Sequence, residues 1–167
     1  MAPLAPQYTR GWTLLRLLPC LAAATCSAGA AHTQPPWPGK AALNAFDFRP
    51  VASDPAFQMF DDIFFAYGIG ASCHFDFSED DRLAGVPGQD VERGARRVGD
   101  KAFDLLLAEV EKRHPGNPGN RQAAWWLLGT RSEADGERGR DAVMESGCKA
   151  MRPAVRNIVL KVLRLPP

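Results

Sequence analysis

The distribution of the four cysteines constrains the fold most, because two lie in an apolar N-terminal segment and two in the rest of the chain. Residues 1–31 have the pattern of a secretory signal. Arg10 and Arg16 provide the positive start, a stretch rich in leucine and alanine follows, and residues 28–30 form a small-residue cleavage site. The apolar stretch is too short and too interrupted to span a membrane. We therefore expect removal of this leader and a periplasmic or secreted location.

A lipoprotein signal is the alternative, since Cys20 and Cys26 lie in or after the apolar stretch. Neither cysteine follows a clean small-residue motif, because Pro19 precedes the first and Thr25 precedes the second. Lipidation would anchor the chain to a membrane, so the two signals predict different locations.

The remaining cysteines, Cys73 and Cys148, are predicted to form a disulfide, because an even pair in an oxidising compartment is normally oxidised. Closing a loop of about 75 residues would stabilise the fold by roughly 4 kcal/mol in the chain-entropy model. A catalytic cysteine assisted by His74 is the alternative, but adjacent residues rarely bring their side chains together and no third group is evident. A zinc site that also used His114 would lack the close paired spacing of such sites, so we expect no metal.

Charge argues against a nucleic-acid-binding protein, because the net charge is only +1 and the basic residues show no broad excess. The charge is nevertheless uneven. Residues 54–81 contain acids and no Lys or Arg, whereas residues 148–167 contain bases and no acid. Either these two segments face each other or solvent, or one end is shaped for a partner, in which case Asp80 and Asp81 are candidate contacts.

Hydrophobic periodicity predicts an all-α fold, a small bundle of four to five helices with one disulfide. The signal peptide would be followed by a proline-rich linker or strap at residues 32–52, which Phe46, Phe48 and Val51 could fix to the core. Residues 53–167 would then form the helical domain.

The first two long helices have clear start and stop signals. Ser53 or Asp54 can cap a helix that opens with Pro55, and aromatic residues then recur at spacings of three and four. Gly70 could allow another helix to approach closely. The next helix is predicted from Asp90, its cap, to Arg113, where His114 and a Pro-Gly pair follow.

The second half of the chain is less regular. A third helix is predicted to begin at Asn120, and the polar residues 130–140 to form a loop or a frayed helix. A short helix over residues 140–151 would present Cys148, and Pro153 would open the last helix. That helix is basic and amphipathic, so it could touch an anionic membrane, but a packed terminal helix is the expectation.

Trp125 and Trp126 are the most unusual local feature of the sequence. One could belong to the core while the other is half-buried, or the pair could be an aromatic hot spot for a protein partner or a cell-wall sugar. We therefore treat both as candidate partner-binding residues.

Catalytic motifs are missing from the sequence: it contains no Gly-rich phosphate loop, no G-x-S-x-G and no H-E-x-x-H. The acid pairs Asp61/Asp62 and Asp80/Asp81 are sequence neighbours, whose side chains diverge on a helix, whereas general acid–base catalysis needs convergent carboxyls. This pattern favours a non-enzymatic protein without a cofactor, although it leaves an unrecognised hydrolase open.

The layout resembles the small helical periplasmic immunity proteins that neutralise type VI secreted cell-wall amidases. The resemblance is carried by the export signal, by a helix that runs through Tyr67 into Cys73, and by Cys148 before a terminal helix. The resemblance covers most of the chain after the leader. This chain departs from the family in its tryptophan pair and in the polar segment 130–140. The resemblance implies a protein that binds and blocks a toxin enzyme and has no catalytic residues of its own.

The leading expectation is therefore an exported helical binding protein, most plausibly an inhibitor or immunity partner of another envelope protein. An envelope hydrolase acting on cell-wall or carbohydrate substrate is one alternative. A structural or stress-related envelope protein that uses the basic terminal helix at the membrane is the other.

Overall fold

A computed structural model describes residues 43–164, and within them the chain is all-helical. The predicted fold class of four to five helices with one disulfide is confirmed for this part, whereas the predicted leader and residues 32–42 of the strap lie outside it. The helices, in chain order, are α1 (Arg49–Ala52), α2 (Pro55–Ser72), α3 (Gly88–Arg113), α4 (Asn120–Ser146) and α5 (Cys148–Leu163).

Helix α2 begins as its sequence predicts. The Asp54 carboxylate accepts a hydrogen bond of 2.8 Å from the backbone N–H of Ala56, and Pro55 occupies the first helical position, where its missing N–H matters least. The aromatic stripe that follows contributes Phe57 and Phe60 to the core, and both are almost fully buried. The local capping signal and the hydrophobic pattern therefore agree for this helix.

Helix α3 begins at Gly88, after Pro87, which is two residues earlier than predicted. Asp90 is consequently not the cap but a residue of the first turn, where its carboxylate lies 3.4 Å from Arg93 and suits the positive end of the helix dipole. The predicted end at Arg113 is confirmed, with His114 as the C-cap.

Helix α4 runs without interruption from Asn120 to Ser146. Residues 130–140, predicted to be a loop or a frayed helix, are therefore part of a continuous helix, and the loop alternative is wrong. Two glycines of α4, Gly136 and Gly139, meet the backbone of α2. A Cβ on Gly139 would lie 2.1 Å from the Phe65 carbonyl oxygen, and a Cβ on Gly68 would lie 1.9 Å from the Gly136 carbonyl oxygen. Gly70, which was expected to allow this approach, has open space instead. Tight packing between the two helices thus overrides the low helix propensity of glycine.

Helix α5 begins at Cys148 rather than at Pro153, and Pro153 lies inside it. The short helix predicted over residues 140–151 is also wrong, because the chain turns at Gly147, whose φ of 78° favours glycine. This turn ends α4 and places Cys148 on the first turn of α5.

The core lies in two clusters at opposite ends of α2. Helices α2, α3 and α4 enclose the first cluster, against which Phe46, Phe48 and Val51 pack as predicted for the strap. The second cluster surrounds Cys73, where α2 ends, and includes apolar residues of α5. The predicted disulfide is present, with the Cα atoms of Cys73 and Cys148 5.6 Å apart. It joins the end of α2 to the start of α5.

Candidate partner-binding site

Trp125 is the large aromatic residue that α4 presents to solvent, with 51% of its surface exposed. Its ring stacks on Phe103 of α3, with ring centroids 4.3 Å apart and an interplanar angle of 27°. The Arg121 guanidinium, one turn earlier on α4, lies 5.1 Å from the same Phe103 ring. Phe103 is buried, so one face of the Trp125 ring packs on the core, whereas much of the rest of Trp125 faces water. We name Arg121, Trp125 and Phe103 the Trp125 surface.

The second tryptophan does not belong to this surface. Trp126 is partly buried and packs against the first core cluster. Successive residues on a helix point about 100° apart, so the two indoles flank the buried stripe of α4 on different sides. Of the two tryptophans, Trp125 is therefore the one with the larger exposed surface.

Asp80 and Asp81, the other predicted contacts, both bind Arg156 of α5. The arginine donates to both carboxylate oxygens of Asp80 and, over 2.8 Å, to Asp81 Oδ1. The Asp80 side chain is only 6% exposed, whereas that of Asp81 is 80% exposed. The Arg156 hydrogen bond holds the pKa of Asp80 at about 2, well below its ordinary value. Asp80 is thus committed within the fold, and Asp81 is the member of the pair that solvent reaches.

Further contacts join the acidic segment to the basic one. Arg152 donates to the Asp76 carbonyl oxygen over 2.8 Å and lies over the Phe77 ring. Lys161 donates to Asp62 over 3.2 Å. The two oppositely charged segments therefore face each other, which was the simpler of the two interpretations of the charge pattern.

A cluster of charged residues surrounds the buried Asp135 between α2 and α4, and it was not predicted from the sequence. Asp135 is 1% exposed, and Arg138 donates to one of its oxygens. Arg131 forms two hydrogen bonds, of 3.0 and 2.7 Å, to Asp61 of α2. Spacings of three and four along α4 are a signal for ion pairs, but they are typical of exposed helices and so did not indicate burial.

An open cleft of about 460 Å³ lies between the 82–90 segment and the end of α5. Its lining combines Arg82, Arg164 and Asp90 with apolar side chains such as Leu160. None of the residues predicted as sites from the sequence lines this cleft.

Within residues 43–164, no group of three or more His, Cys, Asp or Glu residues is arranged to hold a metal ion. Within the same residues, no helix combines the length and the apolar character needed to cross a membrane. Comparison of the chain with family models, with curated proteins and with solved structures gives no match.

Proposed function

We propose that this chain is an exported helical binding protein that acts as an inhibitor or immunity partner of another envelope protein, and that Trp125 lies at the centre of the contact. The observation that carries this proposal is the half-exposed Trp125, whose ring stacks on the buried Phe103. Tryptophan and arginine are the residues most enriched at the energetic centres of protein interfaces. Arg121 beside Trp125 supplies that combination on one turn of α4.

The stack of Trp125 on Phe103 matters for affinity. A side chain already fixed by a stack loses little conformational freedom when a partner covers it, so more of the buried apolar area contributes to binding. Arg156 and Lys161 of the basic segment form ion pairs with acids of residues 54–81 within the fold. These acids are therefore less available to a partner than the Trp125 surface.

Site-specific photo-crosslinking in the cell that encodes the chain would identify the partner. A photoreactive amino acid replaces Gln122, which is exposed three residues before Trp125 on α4, in one variant and Met144, which is 88% exposed on the same helix, in the control. We expect one envelope protein to crosslink from position 122 and not from position 144.

Affinity measurement with that protein then tests the role of the ring. Trp125→Ala should weaken binding by about 30-fold or more, since a hot-spot truncation costs about 2 kcal/mol. Met144→Ala should change it less than about threefold. Trp125→Phe, which can keep the stack on Phe103, separates lost contact from lost folding. Equal crosslinking from both positions, or unchanged affinity of a folded Trp125→Ala variant, contradicts the proposal.

A further inference from the structure

The buried carboxylate of Asp135 has one oxygen with a hydrogen-bond donor and one without. Arg138 donates to Oδ1, whereas Oδ2 is shielded from solvent and accepts no hydrogen bond. A buried acceptor without a donor is costly in free energy, and more so when it carries charge. Asp135 Oδ2 therefore needs either a hydrogen-bond donor or a proton of its own.

Arg131 is the nearest donor, but it is already committed to the other carboxylate. Its Nε lies 3.0 Å from Asp61 Oδ1 and 3.4 Å from Asp135 Oδ2. This nitrogen carries a single hydrogen, which the shorter contact directs to Asp61. The two carboxylates thus converge on one guanidinium nitrogen that can satisfy only one of them.

A proton on Asp135 resolves this conflict, because it turns Oδ2 from an acceptor without a donor into a donor. We propose that the Asp61–Asp135 pair is a proton-binding site. Asp135 carries the proton and donates a hydrogen bond to the Asp61 carboxylate across the α2–α4 contact. Two carboxylates that share a site are known to hold one proton between them far more tightly than either would alone.

The charged groups around the site act in opposite directions. Burial, and next the hydrogen bond and charge of Asp61, raise the pKa of Asp135 to about 6. Arg131 and Arg138, both on α4, oppose this increase. Asp62, the neighbour of Asp61 on α2, is paired instead with Lys161 of α5. The balance raises the proton affinity of Asp135 above that of an ordinary aspartate.

The direction of the pH dependence follows from linkage. Between the ordinary pKa of 3.8 and the folded value of about 6, the folded chain binds more protons at Asp135 than the unfolded chain does. The contribution of this site to stability is therefore complete below the ordinary pKa. It is lost as the pH rises through about 6.

Titration of the wild-type chain by carbon-detected NMR tests the site without any substitution. We expect the Asp135 Cγ signal to titrate near pH 6 in the intact, folded chain, and Asp61→Asn to lower that midpoint. A midpoint for Asp135 at or below about pH 4 overturns the proposal.

Asp135→Asn supplies an independent test, because its amide can donate to Asp61 and still accept from Arg138, as the protonated acid would. Between pH 4.5 and 7 we expect the unfolding equilibrium constant of the wild type to rise about tenfold or more relative to that of the variant. Parallel pH profiles for the two proteins would contradict the shared proton. Should the variant fail to fold, the wild-type titration alone decides.

Discussion

Gly139→Ala tests the close contact between α2 and α4, on which the fold depends. The added Cβ would lie 2.1 Å from the Phe65 carbonyl oxygen and 3.0 Å from the Ile69 backbone nitrogen, and both are backbone atoms that no rotamer change can move. The two helices would have to separate by more than about 1 Å, and overpacking of this kind costs about 1–3 kcal/mol and occasionally more.

The intrinsic preference of a helix for alanine works against this loss. Replacing an interior glycine by alanine gains about 1 kcal/mol. Because the new Cβ would meet two backbone atoms, we take the overpacking cost at the upper end of its range, about 3 kcal/mol, which leaves a net loss of about 2 kcal/mol for Gly139→Ala. That corresponds to a fall in Tm of roughly 10 °C for a domain of this size. Gly129→Ala is the matched control, because Gly129 lies on the same helix and a Cβ there would meet no atom within 4 Å.

Urea unfolding followed by far-ultraviolet circular dichroism measures both variants. We expect Gly129→Ala to be as stable as the wild type or more stable by up to about 1 kcal/mol, and Gly139→Ala to be clearly less stable. Equal stability of the two variants would refute the claim that backbone contact with α2 requires glycine at position 139.

Two further predictions concern contacts between distant segments of the chain. Replacing both Cys73 and Cys148 by serine should lower the free energy of unfolding by about 4 kcal/mol, read from urea curves, since the disulfide closes a loop with a sequence separation of 75. Arg156 is the chief cause that holds the pKa of Asp80 at about 2. The stability that the ionised Asp80 contributes should therefore be present above pH 4 and lost as the pH falls towards 2. Acid unfolding of Asp80→Asn should lack this decline, whereas the control Asp81→Asn should keep it. If the decline were unchanged in both variants, the role of Asp80 would be contradicted.

Helix ends that depend on local capping signals could be predicted from the sequence. The Asp54–Pro55 start of α2 and the His114 end of α3 depend on hydrogen-bonding groups near them in the sequence, so they could be recognised there. The disulfide could also be predicted, because only one cysteine pair remains once the leader is set aside.

The middle of α4 could not be predicted, because its stability depends on a distant helix. Gly136 and Gly139 are typical of loops in isolation, and only the surface of α2 makes them favourable. Asp135 is hidden from sequence analysis for the same reason, since its burial results from that close approach. The choice between Trp125 and Trp126 likewise depends on which edge of the α4 stripe faces α3, which periodicity alone leaves open.

Export and oxidation of the Cys73–Cys148 pair are the premise of the proposed function, and the intact mass of the chain from its native cell tests both at once. We predict a mass that lacks the leader and is lower by two hydrogens than that of the reduced chain, with no alkylation until a reductant is added. A chain that retains residue 1, or whose two cysteines are alkylated without reductant, would contradict it.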